Sequence, residues 1–192
     1  HYFVQACLLT TEKSYSEDCA TNLKRLQEAY PDVVKFIESI SDLPVIPPNH
    51  IVIDALFGTG LSRSLEAFPA ACVQHINAQQ NTVISIDVPS GLFTDKTSVD
   101  SIVIKADHTL TFERYKLAFL MPENEQHTGE LHLLSIGWHK DYWEQVNSNY
   151  ELIDKESIKK IYRPRKLFSH KGTYGHALIF AGSFGKIGAA VL

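Results

Sequence analysis

Short apolar runs alternate along this chain with stretches whose apolar residues recur every three or four positions. The first kind reads as strand and the second as helix. Tyr2 to Leu9 is a strand by this criterion. Ser16 then stands where an N-cap is expected, with Glu17 and Asp18 in the first turn, where acids favour the helix dipole. Cys19, Leu23, Leu26 and Tyr30 continue at helical spacing until Pro31 stops or kinks the helix. Val34, Ile37 and Ile40 suggest a second short helix, and Pro44, Pro47 and Pro48 stiffen the approach to the next strand. That strand is Ile51 to Phe57, with a turn over Gly58 to Ser62. Leu65, Phe68, Cys72 and Ile76 fall on one face of a following helix. Thr82 to Ile86 is a third strand and ends at Asp87. Beyond the short apolar segment Ile102 to Ile104, His108 to Phe112 alternates and is partly β-branched, and Gly129 to Ile136 reads as a further strand.

Strands alternating with helices predict an α/β fold: a doubly wound, mostly parallel sheet with right-handed crossovers. The apolar runs read as buried parallel strands. Gly137 to Arg165 is polar and reads as a boundary helix plus linker. After it, Ala177 to Ala181 predicts a new strand, closed by Gly182-Ser183, with a helix opening at Gly188. The domain boundaries expected are therefore residues 1–140, a linker over 141–165, and the start of a second α/β unit over 166–192.

Composition narrows the possibilities. A chain of 192 residues with 44% apolar and 21% charged residues can bury a core of its own without staples. A net charge of −4 supplies no basic field for nucleic acid, and the basic stretch from Lys159 to Lys171 reads as a solvated linker, the alternative being a phosphate-binding strip. No apolar run approaches the roughly 18 residues of a membrane span. Cys7, Cys19 and Cys72 form no C-x-x-C pair, which argues for core packing in a reducing cytoplasm and against a disulfide framework or zinc site. The nine histidines show no metal-binding spacing, and His75 reads as a partly buried helical residue. The chain opens without Met inside one strand-like run and closes inside a helix-like one, so both ends read as cut.

Candidate chemistry gathers where two strands end. In Gly58-Thr59-Gly60-Leu61-Ser62-Arg63, glycines let backbone amides approach an anion, a helix N-terminus beyond adds partial positive charge, and Arg63 offers a bidentate phosphate contact. The alternative is a plain strand-to-helix turn. Asp87-Val88-Pro89-Ser90-Gly91 places an acid at a strand end with the Ser90 hydroxyl close by. Asp87 suits general acid–base work or orienting a hydroxyl, the competing role being an Asx turn. Asp54 and Ser90 offer oxygen ligands only, which selects a hard cation or none; alternatively Asp54 caps the Gly58 turn. Lys116 is either an acid–base or phosphate partner or a solvated surface lysine. Gly182-Ser-Phe-Gly-Lys-Ile-Gly188 has the wrong spacing for a P-loop.

These segments resemble the NAD(P)H-hydrate epimerase family, which supplies the first domain of bifunctional NAD(P)H-hydrate repair enzymes. The likeness rests on Ile53 to Leu61, Ser85 to Gly91, Ala106 to Phe112 with Lys116, Gly129 to Gly137, and Ser16 to Leu26. His170 to Gly175, Ala181 to Ser183 and Gly188 to Ala190 resemble the opening of the ADP/ATP-dependent dehydratase that follows it in those enzymes. The resemblance implies a Rossmann-like three-layer αβα sandwich, followed by the start of a ribokinase-like α/β domain. It implies an isomerase and a lyase of metabolite repair, in which Gly58, Thr59, Gly60, Leu61, Ser62, Arg63 and Ser64 contact the hydrated nucleotide NAD(P)HX. Asp87 binds substrate and acts as the acid–base, with Lys116 beside it in catalysis. Asp54 and Ser90 hold potassium, and Ala190 lines the dehydratase pocket, whose nucleotide is ADP or ATP. A homo-oligomer is implied as well, and neither nucleic acid nor a membrane is expected as a partner. The family's first helix and glycine-rich loop would precede His1.

Two other readings compete. A non-catalytic dimerisation or ligand-binding module of the same fold would not need Asp54, Asp87, Ser90 and Lys116 together. An ordinary nicotinamide dehydrogenase would have a third glycine where Arg63 stands and an acid near Ala78 to Thr82, where there is none.

Overall fold

A computed structural model describes residues 2–10 and 15–191, which fall into two compact units, His1–Lys140 and Asp141–Leu192. The first unit is α/β, and every strand pairing in it is parallel. Its elements run β1 (Ala6–Leu9), α1 (Glu17–Ala29), β2 (Val34–Ile37), β3 (Val52–Asp54), α2 (Ala67–Asn77), β4 (Val83–Ile86), β5 (His108–Phe112), α3 (Glu125–Thr128) and β6 (Glu130–Leu134). The strands form two sheets where the pattern predicts one: a pair β1-β2, and a four-stranded sheet in the order β3-β4-β5-β6.

Ser16 caps α1 as its position suggests, its hydroxyl accepting from the Cys19 amide at 3.3 Å. Val34 to Ile37 is a strand and not the expected helix; it pairs in register with Ala6 to Leu9, and only Ile40–Asp42 makes a short 3-10 turn. A spacing of three suits a helix, but three points do not fix one, and the β-branched neighbours Val33 and Val34 with β1 as partner decide for the strand. Helix α2 starts at Ala67, well after the Gly58 turn, and Leu65 lies ahead of it although buried in the core. Pro69 explains the late start. In the third helical position its missing amide costs nothing, whereas a start at Leu65 would leave Pro69 unable to make an interior bond.

One core cluster joins Val83 of β4 and Ala70 and Val73 of α2 to Leu65, Ile104 and Ala106. A second joins Val88, Leu92 and Val103 to Ala118 and Phe119. Side chains such as Val73 and Ile104, fully out of water, contribute about 1.5–3 kcal/mol each. The apolar runs are not buried on both faces, however: Ile53 in β3 is 56% exposed while Asp54 beside it is buried. Cys72 packs in the core, but Cys7 is exposed, contrary to its apolar surroundings in sequence; all three cysteines are free.

The carboxyl ends of β5 and β6 are tied by one residue. Glu113 follows β5 with a positive φ of 60°. Its Oε1 accepts from the amides of Ile136 (2.5 Å), Gly137 (2.9 Å) and Trp138 (3.3 Å) and from the Ser135 hydroxyl (3.0 Å). These bonds, the Ile136 amide above all, hold its carboxyl below the ordinary value of 4.5.

Beyond β6, the helices of four residues or more among the described residues are α4 (Lys140–Gln145), which begins at the boundary of the two units, α5 (Lys155–Ile161) and α6 (Gly188–Val191). Asp154 caps α5, accepting from the Ser157 amide at 2.7 Å. The strand expected over Ala177 to Ala181 does not form. Leu178, Ile179 and Phe180 are exposed at 79%, 73% and 90%, with no strand beside them among the described residues, and a lone strand leaves its backbone unpaired. Gly182 to Lys186 is a tight turn closed by a bridge between Ser183 and Lys186. No helix among the described residues is long and apolar enough to cross a membrane.

A depressed carboxyl stabilises the fold above its unfolded value and ceases to do so as pH falls through the folded one. Glu113→Ala should therefore lower the melting temperature near neutrality, and the gap from wild type should shrink as pH falls below 4.5, the ordinary glutamate value. Melting curves between pH 7 and pH 3 check this; a gap that stays constant would remove the charged form of Glu113 from the account.

Candidate active site

β3, β4 and β5 lie side by side and parallel, so their carboxyl ends open on one rim. Asp54 ends β3, Asp87 follows β4, and Lys116 follows β5 by four residues. The register pairs Asp54 with Ser85, so both side chains point to the same face.

Asp54 is 1% exposed. Its Oδ2 accepts from the Ser85 hydroxyl and the Ser90 amide, both at 2.8 Å. Its Oδ1 accepts from the Ser90 hydroxyl at 2.5 Å and the Leu56 amide at 3.3 Å. A carboxylate has about four acceptor sites, and here all are engaged. Ser90, itself buried, also accepts from the Phe57 amide at 2.9 Å. The two residues expected to hold potassium thus bind each other. Their donor set, all oxygen, suits a hard cation, which would enter by replacing the bond between the Ser90 hydroxyl and Asp54.

Asp87 has a positive φ of 68°, a region that non-glycine residues rarely occupy. Its amide donates to the Leu110 carbonyl at 2.8 Å, holding this conformation at the strand end. Backbone strain of this kind costs on the order of 1–3 kcal/mol and gathers at functional positions. Oδ1 of Asp87 pairs with Lys116 Nζ at 2.9 Å, the two side chains being 21% and 16% exposed. Lys116 also donates to the Thr111 hydroxyl at 2.8 Å and the Phe112 carbonyl at 3.1 Å. All three ammonium donors are used, so Lys116 is no solvated surface lysine. Oδ2 of Asp87 faces the Gly58 turn, where a Cβ on Gly58 would lie 3.1 Å from it. Gly58 therefore keeps the space in front of that oxygen open.

The turn beyond, Gly58 to Ser64, is exposed apart from the half-buried Leu61. Lys96 donates to the Ser62 carbonyl at 2.8 Å, and the Ser64 hydroxyl lies 3.2 Å from that of Ser101. Because α2 begins only at Ala67, the Gly58–Gly60 amides do not run directly into a helix N-terminus as the sequence suggests. Thr59, Gly60 and Arg63 stand exposed on the same turn. Ala190 lies in α6, and its side chain is outside the described residues.

Gly91 fixes the second turn. With φ of 100° and a would-be Cβ 2.1 Å from the Ile102 carbonyl oxygen, no other residue fits. The close approach lets the Ile104 amide donate to the Ser90 carbonyl at 2.9 Å. Residues the sequence did not single out complete the network: Ser85, Phe57 and the Phe112 carbonyl. Ser85 had a signal, as the one polar residue inside the apolar run Val83 to Ile86. Main-chain groups have none.

Comparison with known proteins gives a family match over the first unit. The family model described as YjeF-related protein N-terminus matches residues 1–118. The bifunctional NAD(P)H-hydrate repair enzyme of Thermofilum pendens is 39% identical over 142 residues, covering 74% of this chain and 26% of its own length. The enzyme of that name in Escherichia coli is 32% identical over 140 residues, covering 72% of the chain and 27% of its own length. That of Moorella thermoacetica is 28% identical over 193 residues, covering 98% of the chain and 36% of its own length. The chain thus spans from about a quarter to just over a third of the length of these relatives.

The Asp54 network makes a stability prediction. Asp54→Ala leaves the Ser85 hydroxyl and the Ser90 and Leu56 amides without their acceptor, and should cost about 2–4 kcal/mol. Urea unfolding of the two proteins checks it; a loss below about 1 kcal/mol would show that these donors find water instead.

Proposed function

The chain belongs to the family described as YjeF-related protein N-terminus, and on that premise we propose that its first unit is an NAD(P)H-hydrate epimerase. It interconverts the R and S forms of hydrated NADH or NADPH as the first part of a bifunctional repair enzyme. The observation that carries this reading is Asp87: strained at a strand end, one oxygen held by Lys116, the other facing the open Gly58 turn.

The chemistry follows from that asymmetry. In the hydrate a hydroxyl sits on C6 of the nicotinamide ring, beside the ring nitrogen. Asp87 protonates the hydroxyl from its free oxygen as the nitrogen lone pair expels it as water. The planar cation then takes water on its other face, and the proton that this water releases returns to Asp87 through solvent, so the balance closes without any redox partner. Lys116 keeps the carboxylate aimed and is a positioning residue as well as the candidate second catalytic group. The exposed turn of Gly58 to Ser64, with Arg63, is where the nucleotide's phosphates would bind. Asp54 and Ser90 would hold potassium, whose fixed positive charge would lie next to the Asp87 turn.

The second unit is proposed as the beginning of the dehydratase domain over residues 166–192, after a linker over 141–165, with Ala190 toward its substrate pocket and ADP or ATP as its nucleotide. A cytoplasmic homo-oligomer fits the same reading.

The test is proton NMR of a single purified NADHX epimer, with potassium, with and without the chain. Acceleration of R/S equilibration is expected, and Asp87→Asn should reduce it by about 10²–10⁴-fold while melting near the wild-type temperature. Full activity in that variant would remove Asp87 as the acid–base. No acceleration by wild type, with NADHX still bound, would make the domain a ligand-binding module.

A further inference from the structure

The second constellation of ligating side chains lies on the opposite face of the same sheet. His108 opens β5 and is the register partner of Glu130, which opens β6; His132 stands two residues further along β6. Strand alternation therefore puts His108, Glu130 and His132 on one face. Thr109 and Thr111, buried and turned toward the face of Asp54 and Ser85, lie on the other.

The three side chains converge. His108 Nδ1 is 3.1 Å from His132 Nε2 and 3.6 Å from Glu130 Oε2, and one ligand atom from each residue lies within 4.8 Å of the others. The imidazole rings are tilted by 43° with centroids 5.2 Å apart, so they meet through nitrogens and not by stacking. With zinc–nitrogen bonds of 2.0–2.1 Å, two imidazoles on a tetrahedral ion stand about 3.3 Å apart. The His108–His132 separation is within a few tenths of an ångström of that value. Glu130 is exposed, its side chain 69% accessible, and free to close the remaining gap.

The geometry points to a zinc site made by His108, His132 and Glu130. Two imidazoles and one carboxylate are the donor set of open three-ligand zinc sites, with water in the fourth position. The set selects a borderline transition cation over potassium, calcium or magnesium, which take oxygen donors. Without metal, one of the two facing nitrogens donates to the other across 3.1 Å; zinc ligates both when that proton moves to the outer nitrogen of its own ring. Since the ligands come from adjacent strands, the ion braces β5 against β6 at their amino ends, away from the Asp87 rim. The site is independent of the epimerase reading, and neither proposal stands or falls with the other.

Competition of the metal-free chain with a chromophoric chelator for Zn²⁺ tests it, with melting temperature as the second readout. Wild type should bind zinc and melt higher with it. His132→Gln should weaken zinc binding about tenfold or more and abolish the melting shift, and Glu130→Gln, an exposed and structurally neutral change, should weaken it about threefold or more. Circular dichroism of each variant verifies its fold, with His108→Gln replacing His132→Gln if the latter unfolds. Wild type that takes up no zinc overturns the proposal, leaving a hydrogen-bonded histidine pair only. So does zinc binding that is unchanged in the variants, which would place the ion elsewhere, for instance on the exposed Cys7.

Discussion

A carboxylate withdrawn from water must be met by donors, because an unpaired buried charge costs several kcal/mol. Asp54 meets that condition with groups from three places: the turn after β3, the middle of β4 and the turn after β4. The need to satisfy one acid therefore fixes the two turns against each other beyond the point where the β3–β4 pairing ends. Ser90 is the join. It gives Asp54 both its amide and its hydroxyl and takes the Phe57 amide in return. Both sides of the rim are thereby tied to one buried point.

Asp87, three residues before Ser90, shows what that rigidity permits. A left-handed aspartate is tolerated only where its surroundings over-determine it. Here the Leu110 carbonyl holds its amide, the Asp54 network holds the residues after it, and Gly91 lets the chain pass close beneath Ile102. The two aspartates divide the work. Asp54 has every lone pair engaged within the fold, whereas Asp87 has one oxygen anchored and one facing open space. An acid that must exchange protons with a ligand needs that second arrangement, and the first is what makes it stable.

Much of this was legible in the residues. Apolar runs ending in acids and glycine turns placed β3 and β4, with the helical spacing between them implying a parallel pair, and alternation with β-branched residues placed β5. The Asp87-to-Gly91 turn at the end of β4 was visible too. What escaped was of two kinds. Val34, Ile37 and Ile40 are too few points to fix a helix, and the β-branched Val33 and Val34 together with β1 as a partner make the first part a strand. Pairing across strands is the other. Lys116 read equally as a surface lysine because its three acceptors, Asp87, Thr111 and the Phe112 carbonyl, meet only after folding. His108, Glu130 and His132 followed no metal-binding spacing because their proximity comes from strand register, not from separation along one helix.

The end of β5 links these parts. Glu113 turns the chain there in a left-handed conformation, and its carboxylate gathers the backbone that leaves β6. The Arg114 amide closes on the Phe112 carbonyl at 2.6 Å, which reverses the chain tightly enough for Lys116 to reach back to Thr111 and Phe112. Lys116 is thus aimed at Asp87 by the exit from its own strand. The consequence is a chain of constraint from β6 through Glu113 and Lys116 to the Asp87 carboxylate. One side of Asp87 is governed by the turn after β5 and the other by the Asp54 network between β3 and β4. The acid sits where these two constraints meet: the first aims its anchored oxygen, and the second, through Ser90 and the Phe57 amide, sets the Gly58 turn that its other oxygen faces.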